Sequence, residues 1–258
     1  MLPVWVISLE ESVKRRSEVA RLLHHFSLPF SFFPAIDGRR LSPAEISATY
    51  SKEQTQRAIG RQMTPGEIGC SLSHMAVYRR MIDENIESLV VLEDDARISA
   101  DLRSVLERAG QWPHDWDILF LYHQGNDANH ISLRKRVQLG PRHCIVRFSD
   151  RPLGTVAYAV RSSAARKLLC AGLPISAPAD ELLNGYASRI SLCRYGIHPV
   201  VVEHACSNDS FLAAERMRAN ASLHMTTFSL SRFLPNSLYR RGRRCVKFGK
   251  RFFRRYIV

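Results

Sequence analysis

The run Leu89-Val90-Val91-Leu92, followed without a break by Glu93-Asp94-Asp95, constrains this chain more than any other feature. Four consecutive apolar residues read as a strand buried on both faces, the pattern of a parallel sheet covered by helices. Three carboxylates at the end of such a strand repel one another, and partial burial disfavours their charge. A divalent cation removes that cost, and hard ions such as Mn²⁺ or Mg²⁺ take oxygen ligands. Ligands of α/β sheets bind outside the carboxyl ends of strands, where these acids stand. The alternative is a solvated acidic turn that caps the following helix.

The rest of the chain supplies the remainder of such a sheet. Val4 to Ile7 is a short apolar strand, and an amphipathic helix is predicted over about Val13 to Phe26. Phe30-Ser31-Phe32-Phe33 reads as a second strand, closed by the turn pair Asp37-Gly38. Ser42-Pro43-Ala44-Glu45 and Thr64-Pro65-Gly66-Glu67 each place a hydroxyl at N-cap, proline at N1 and glutamate at N3, so each opens a helix with a capping box. The second of these helices reaches about Glu84. Its Ile68, Leu72, Met75 and Ile82 share a face, while Gly69, Cys70 and Ser73 form a small-residue face that admits a backbone or a ligand. Further strands are expected at Asp117 to Tyr122, Cys144 to Phe148 and Thr155 to Val160, then a helix from Ser162 to Ala171 stopped by Gly172. The polar stretch His123 to Arg142 reads as a substrate loop. Pro199 to Val202 is a last strand, delivering Glu203 and His204. Alternating strands and helices argue for one α/β domain of about 200 residues with an appendage.

Charge marks the appendage. The net charge is +13, yet no acidic residue follows Glu215, whereas twelve Arg and Lys do. Residues 1–215 are therefore nearly neutral, which argues against a nucleic-acid-binding domain surface and for a localised anionic partner of residues 216–258. On a helical wheel Arg240, Arg243, Arg244, Lys247, Lys250, Arg251 and Arg254 form one arc, with Phe248, Phe252, Phe253, Tyr256 and Ile257 opposite. A basic amphipathic helix with aromatic residues on its apolar face lies in an anionic membrane interface. An RNA-binding tail is the rival reading, since phosphate attracts the same charges. The six cysteines are scattered without a C-x-x-C pair, which favours a reducing compartment. The N-terminus reads as a strand rather than a signal peptide, and no uncharged apolar run spans the roughly 18 residues a transmembrane helix needs. The expected location is cytoplasmic, peripheral on the inner face of the membrane.

Longer segments are more specific than the acids alone. Ile7-Ser8-Leu9 with Arg15-Arg16, Ala35-Ile36-Asp37-Gly38, Gly66-Glu67-Ile68-Gly69-Cys70-Ser71-Leu72-Ser73-His74, Val91-Leu92-Glu93-Asp94-Asp95 and Gly154-Thr155-Val156-Ala157-Tyr158 occur in this order. Together they resemble the family 25 glycosyltransferases, the bacterial lipooligosaccharide galactosyltransferases and their relatives, over roughly residues 1–210. The resemblance implies a GT-A-type single domain, with a mainly parallel nucleotide-binding sheet flanked by helices and a basic C-terminal helical tail. It implies a UDP-sugar donor, a lipid-linked oligosaccharide acceptor and Mn²⁺ or Mg²⁺, and no nucleic acid.

The same resemblance distributes roles. Asp95, last of the triplet, is the metal ligand, and Glu93 and Asp94 face ribose or support the site. Ser8, Leu9, Arg15 and Arg16 line the nucleotide, although the Arg pair also suits an exposed helix start. Asp37 and Gly38 face uracil or ribose, or form a plain turn. Cys70, Ser73, Gly154 and Thr155 complete the donor-binding set. His204 is the second metal ligand, the alternative being a structural histidine; His74 is a ligand-side residue or a helix-packing one. Inverting transfer needs a base in reach of the acceptor hydroxyl. Asp180, at a proline-marked helix entrance, occupies the corresponding position, with Glu181 as its rival and an N-cap role as the alternative. Two other readings compete. A metal-dependent nucleotidyltransferase or phosphohydrolase would want a glycine-rich phosphate loop or a second carboxylate cluster, and neither occurs. A nucleic-acid-binding protein would have to act through the tail alone.

Overall fold

In the computed structural model the described residues are 1–123, 131–149, 152–184 and 190–205. The chain opens with β1 (Val4–Ser8), α1 (Val13–His25), β2 (Ser31–Pro34), α2 (Pro43–Thr49), α3 (Lys52–Ile59) and α4 (Pro65–Asp83). It continues through β3 (Ser88–Glu93), β4 (Ala96–Ile98), α5 (Asp101–Glu107), β5 (Ile118–Phe120), β6 (Ile131–Leu139) and β7 (His143–Phe148). It closes with β8 (Ala157–Arg161), α6 (Ser162–Gly172), α7 (Ala179–Leu183), β9 (Arg194–His198) and β10 (Val202–His204). Eight strands form one sheet in the order β2-β1-β3-β8-β5-β9-β7-β6, and β4 and β10 pair separately. Six of the eight run in one direction; β8 and β7 are inverted.

Alternation along the buried strands builds three layers. Val4 and Val6 of β1 and Val90 and Leu92 of β3 enter one core with Val19 and Leu23 of α1 and Leu102, Val105 and Leu106 of α5. Trp5, Ile7, Leu89 and Val91 point the other way, into a second core with Ile68, Leu72, Met75 and Tyr78 of α4 and Leu168 of α6. Both faces of these strands are dry, which is why they read as unbroken apolar runs. The mainly parallel sheet flanked by helices is thus present. Both predicted capping boxes are also present: Ser42 with Glu45 opens α2, and Thr64 with Glu67 opens α4. Arg61 adds a two-pronged ion pair that neutralises Glu67 in its buried position.

The small-residue face of α4 receives another backbone. A Cβ on Gly69 would stand 2.4 Å from Gly38 N and 2.5 Å from Ile36 O, and one on Gly38 would overlap Pro65 O. Ser73 locks the contact, its hydroxyl accepting from Ile36 N–H and donating to Gly69 O. Backbone atoms cannot swing aside as a flexible side chain does, so Gly69→Ala is expected to cost about 1–3 kcal/mol or more of stability, as overpacking does. Urea unfolding at unchanged m-value checks it.

Two expectations need correction. Much of the stretch assigned to a substrate loop is strand β6, paired antiparallel with β7. Ile131, Leu133, Val137 and Leu139 alternate with polar residues, as a strand does, while Leu133 and Val137 are exposed. The last strand is also displaced: β10 itself contains His204 and pairs with β4 instead of joining the main sheet. Both halves of the basic tail assignment, residues 216–258, lie outside the described residues.

Candidate active site

β1 and β3 lie side by side in parallel register, Ile7 opposite Glu93. From β1 the chain moves outward to β2, and β3 opens the other half of the sheet, so their carboxyl ends flank a topological switch point, where ligands of such sheets bind. The register sets Ser8 beside the triplet, and Ser8 Oγ donates to Asp94 Oδ2 at 2.6 Å. Strand β8 is inverted against β3, so its amino end reaches the same edge and delivers Thr155, whose hydroxyl donates to Glu93 Oε1. Gly154 precedes it at φ +102°, and a Cβ there would stand 2.6 Å from the Tyr122 ring. The β4–β10 ladder places His204 opposite Ala96, and Ala205 N–H donates to Asp95 O at 2.9 Å.

The three acids therefore have three environments. Asp94 is held by Ser8 and by Arg15, whose Nη1 lies 3.1 Å from Oδ1, so both carboxylate oxygens are engaged. Burial pushes the Asp94 carboxyl above its ordinary pKa, and Ser8 and Arg15 offset part of that. Burial acts on Glu93 in the same sense, but hydrogen bonds from His74 and Thr155 outweigh it and hold the group below the usual range. Asp95 Oδ2 faces His204 Nε2 at 3.3 Å. Its Oδ1 is buried and, among the described residues, has no hydrogen-bond partner. The hydrogen bond to Asp95 raises the His204 pKa despite partial burial, and Arg15 adds a positive charge beside the acids.

An orphaned carboxylate oxygen next to an imidazole nitrogen is a donor set that fits a divalent cation. A second group of ligand-type atoms, from Cys70, His74 and Glu93, lies within 4.8 Å of one another. The four cysteines among the described residues carry thiols, not disulfides.

The other predicted residues separate into those at this edge and those elsewhere. Arg15 reaches the acids, whereas Arg16 stacks over Phe32 with its guanidinium 3.9 Å from the ring centroid. Leu9 continues the chain from Ser8, its carbonyl accepting from Ser12 N–H. Asp37 caps the turn at Gly38–Arg40, where Arg39 side chain and backbone both donate to it and lower its pKa. Gly38 and Ser73 are buried in the backbone contact with α4. Asp180 and Glu181 occupy the first turn of α7, with Pro178 at N-cap, so Asp180 is not the capping residue. α7 packs on α4 and α6, and Ser71 Oγ donates to Ala177 O just before it. Two residues with no assigned role also belong to the site's support, Tyr158 behind His74 and Tyr78 behind Tyr158. Tyr78 stands one helical turn from His74 on α4, and that spacing is the sequence signal that finds it.

Comparison with known proteins agrees with this arrangement at the level of family. The model of "Glycosyltransferase family 25 (LPS biosynthesis protein)" matches residues 1–183. Procollagen galactosyltransferase 1 of Danio rerio is 28% identical over 189 residues, 70% of this chain and 30% of that protein. Inactive glycosyltransferase 25 family member 3 of Homo sapiens is 29% identical over 189 residues, 70% of this chain and 31% of that protein. The chain thus spans about a third of the length of these curated relatives. Among solved structures, a glycosyltransferase involved in glycosylation of the major capsid of PBCV-1 aligns with 88% of this chain and 98% of its own, at 10% identity and TM-score 0.43. The family match takes in β1, the α4 segment, the acid triplet and α7 in one span, and on that match the chain belongs to glycosyltransferase family 25.

Proposed function

We propose that this chain is a metal-dependent, inverting hexosyltransferase that uses a UDP-sugar, with galactose as the favoured sugar and a lipooligosaccharide or lipopolysaccharide chain as acceptor. The observation that carries the reading is Asp95, whose buried, unpartnered Oδ1 stands beside His204 at the carboxyl ends of β1 and β3. Asp95 and His204 would hold Mn²⁺ or Mg²⁺, which supplies Lewis acidity toward the leaving diphosphate. Arg15 and Ser8 keep Asp94 in place beside them, and Glu93 accepts from a donor hydroxyl. Asp180 takes the proton of the acceptor hydroxyl as that oxygen bonds to the anomeric carbon and the bond to the diphosphate breaks, inverting the centre. The galactose preference draws on the zebrafish procollagen galactosyltransferase, and the acceptor on the family's place in LPS biosynthesis.

One relative is named as inactive, so family membership alone does not establish turnover. The deciding experiment is release of UDP from a panel of nucleotide sugars with and without Mn²⁺, in the presence of lipooligosaccharide. Release from UDP-galactose that needs both metal and acceptor supports the reading; no release from any UDP-sugar rejects it.

The basic tail is proposed to hold the enzyme at the anionic cytoplasmic face of the membrane. Among the described residues no helix is long and apolar enough to cross one. A chain cut after Ser229 is expected to turn over a small soluble acceptor yet lose binding to anionic vesicles. Binding by the full chain should weaken with salt, because screening shortens the reach of the charges. A folded but inactive truncated chain would give the tail a part in the active site instead.

A further inference from the structure

Behind Glu93 runs a buried polar chain that neither the metal site nor the proposed base uses. His74 Nε2 lies 3.4 Å from Glu93 Oε1, and His74 Nδ1 lies 2.7 Å from the Tyr158 hydroxyl. That hydroxyl lies 2.8 Å from the hydroxyl of Tyr78. His74, Tyr78 and Tyr158 are each no more than 1% exposed, and both tyrosines belong to an apolar core that includes Ile68, Leu72, Val91 and Val160. Polar groups in so dry a place cost free energy unless every one is paired, and an apolar core would hold α4 to the sheet as well. The chain ends, moreover, on a carboxylate that keeps 19% exposure at the crevice.

Proton accounting gives the chain a direction. A carboxylate only accepts, so Nε2 of His74 carries the proton that faces Glu93. In the neutral ring Nδ1 then accepts from the Tyr158 hydroxyl, which in turn accepts from Tyr78. Burial raises the pKa of both phenols, so both remain donors. Thr155 donates to the same Glu93 oxygen from the other side. Both recorded hydrogen bonds therefore fall on Oε1, and among the described residues none falls on Oε2.

We propose that His74, oriented by Tyr158 and Tyr78, is a positioning residue that locks the Glu93 carboxylate in the orientation from which it receives a hydroxyl of the nucleotide-sugar donor. The proposal rests on the catalytic reading above. His74 acts on the donor only through Glu93, and the tyrosines act only through His74.

The test is a double-mutant cycle on the full chain. Tyr158→Phe and His74→Gln are expected to lower kcat/KM for the UDP-sugar by about 10- to 100-fold, the scale on which a misplaced group costs rate. In a Glu93→Ala background neither change should lower it further, since the group being positioned is gone. Thermal unfolding, followed in parallel, ensures that assays run well below each variant's midpoint. Losses that add to that of Glu93→Ala would overturn the proposal, as would variants that lose stability while keeping kcat/KM. Stoichiometric zinc in the purified wild-type chain, lost in Cys70→Ser, would also overturn it, because the three side chains would then be ligands. A wild-type chain that neither binds UDP nor releases it overturns the catalytic reading and the positioning role together, whereas additive losses in an active enzyme overturn the positioning role alone.

Discussion

Asp95→Asn is expected to remove at least about 10³-fold of kcat/KM, because a Lewis acid at a leaving diphosphate is worth several kcal/mol and each factor of ten is about 1.4. The fold should survive. The residue's backbone contact to Ala205 uses its carbonyl, and His204 can still meet an amide oxygen. His204→Ala should follow the same direction with a smaller loss, since Asp95 remains. The measurement is steady-state transfer across a Mn²⁺ series: the variant curves should move to higher metal concentration, and the wild-type enzyme should stop in a strong chelator. Wild-type turnover indifferent to chelation would reject the metal-dependent reading and leave Asp95 as an ion-pair partner of His204 and Arg15.

The second large effect is expected at α7. Asp180→Asn keeps size and polarity and cannot accept a proton, so kcat should fall by about 10²- to 10⁴-fold with donor affinity little changed. A helix-capping role would make a different forecast, but Pro178 occupies the N-cap. Asp180 Oδ1 accepts from Glu181 N–H at 3.0 Å, a contact that asparagine can also make. If Glu181→Gln is the inactive variant and Asp180→Asn turns over normally, the base is the neighbouring carboxylate.

Much of the fold was legible because its signals are local. Leu89 to Leu92 reads as a strand covered on both faces, and it is, with alternate residues in opposite cores. The hydroxyl–proline–glutamate spacing at Ser42 and Thr64 requires only one turn of helix to close, and both boxes close. β6 was hidden by Arg134, Lys135 and Arg136, which interrupt an otherwise alternating stretch. A strand at the sheet's edge can carry such charges, because among the described residues one side of it has no neighbour strand. β10 was misplaced because three residues of strand are too few to show a period.

The acid triplet divides the same way. That Glu93, Asp94 and Asp95 cluster at a strand end with compensating partners follows from sequence, since carboxylates following a buried strand must be compensated by something. Which acid does what does not follow, because each is defined by partners that only folding brings to it. Ser8 and Arg15 engage both oxygens of Asp94, Thr155 and His74 hold one oxygen of Glu93, and His204 arrives on a separate small ladder beside Asp95. Asp37 shows the converse: a residue whose type suits a ligand is committed to its own turn by Arg39. The small-residue face of α4 was readable as a close approach, yet that it receives the Ile36–Gly38 backbone was decided by packing. Sequence alone determined the buried strands β1, β3, β7 and β8, the capped helices and the place of the acids, because those depend on neighbours along the chain. Tertiary structure alone decided the separate partners of the three acids and the buried path from Glu93 to Tyr78, because hydrogen bonds and burial depend on neighbours in space.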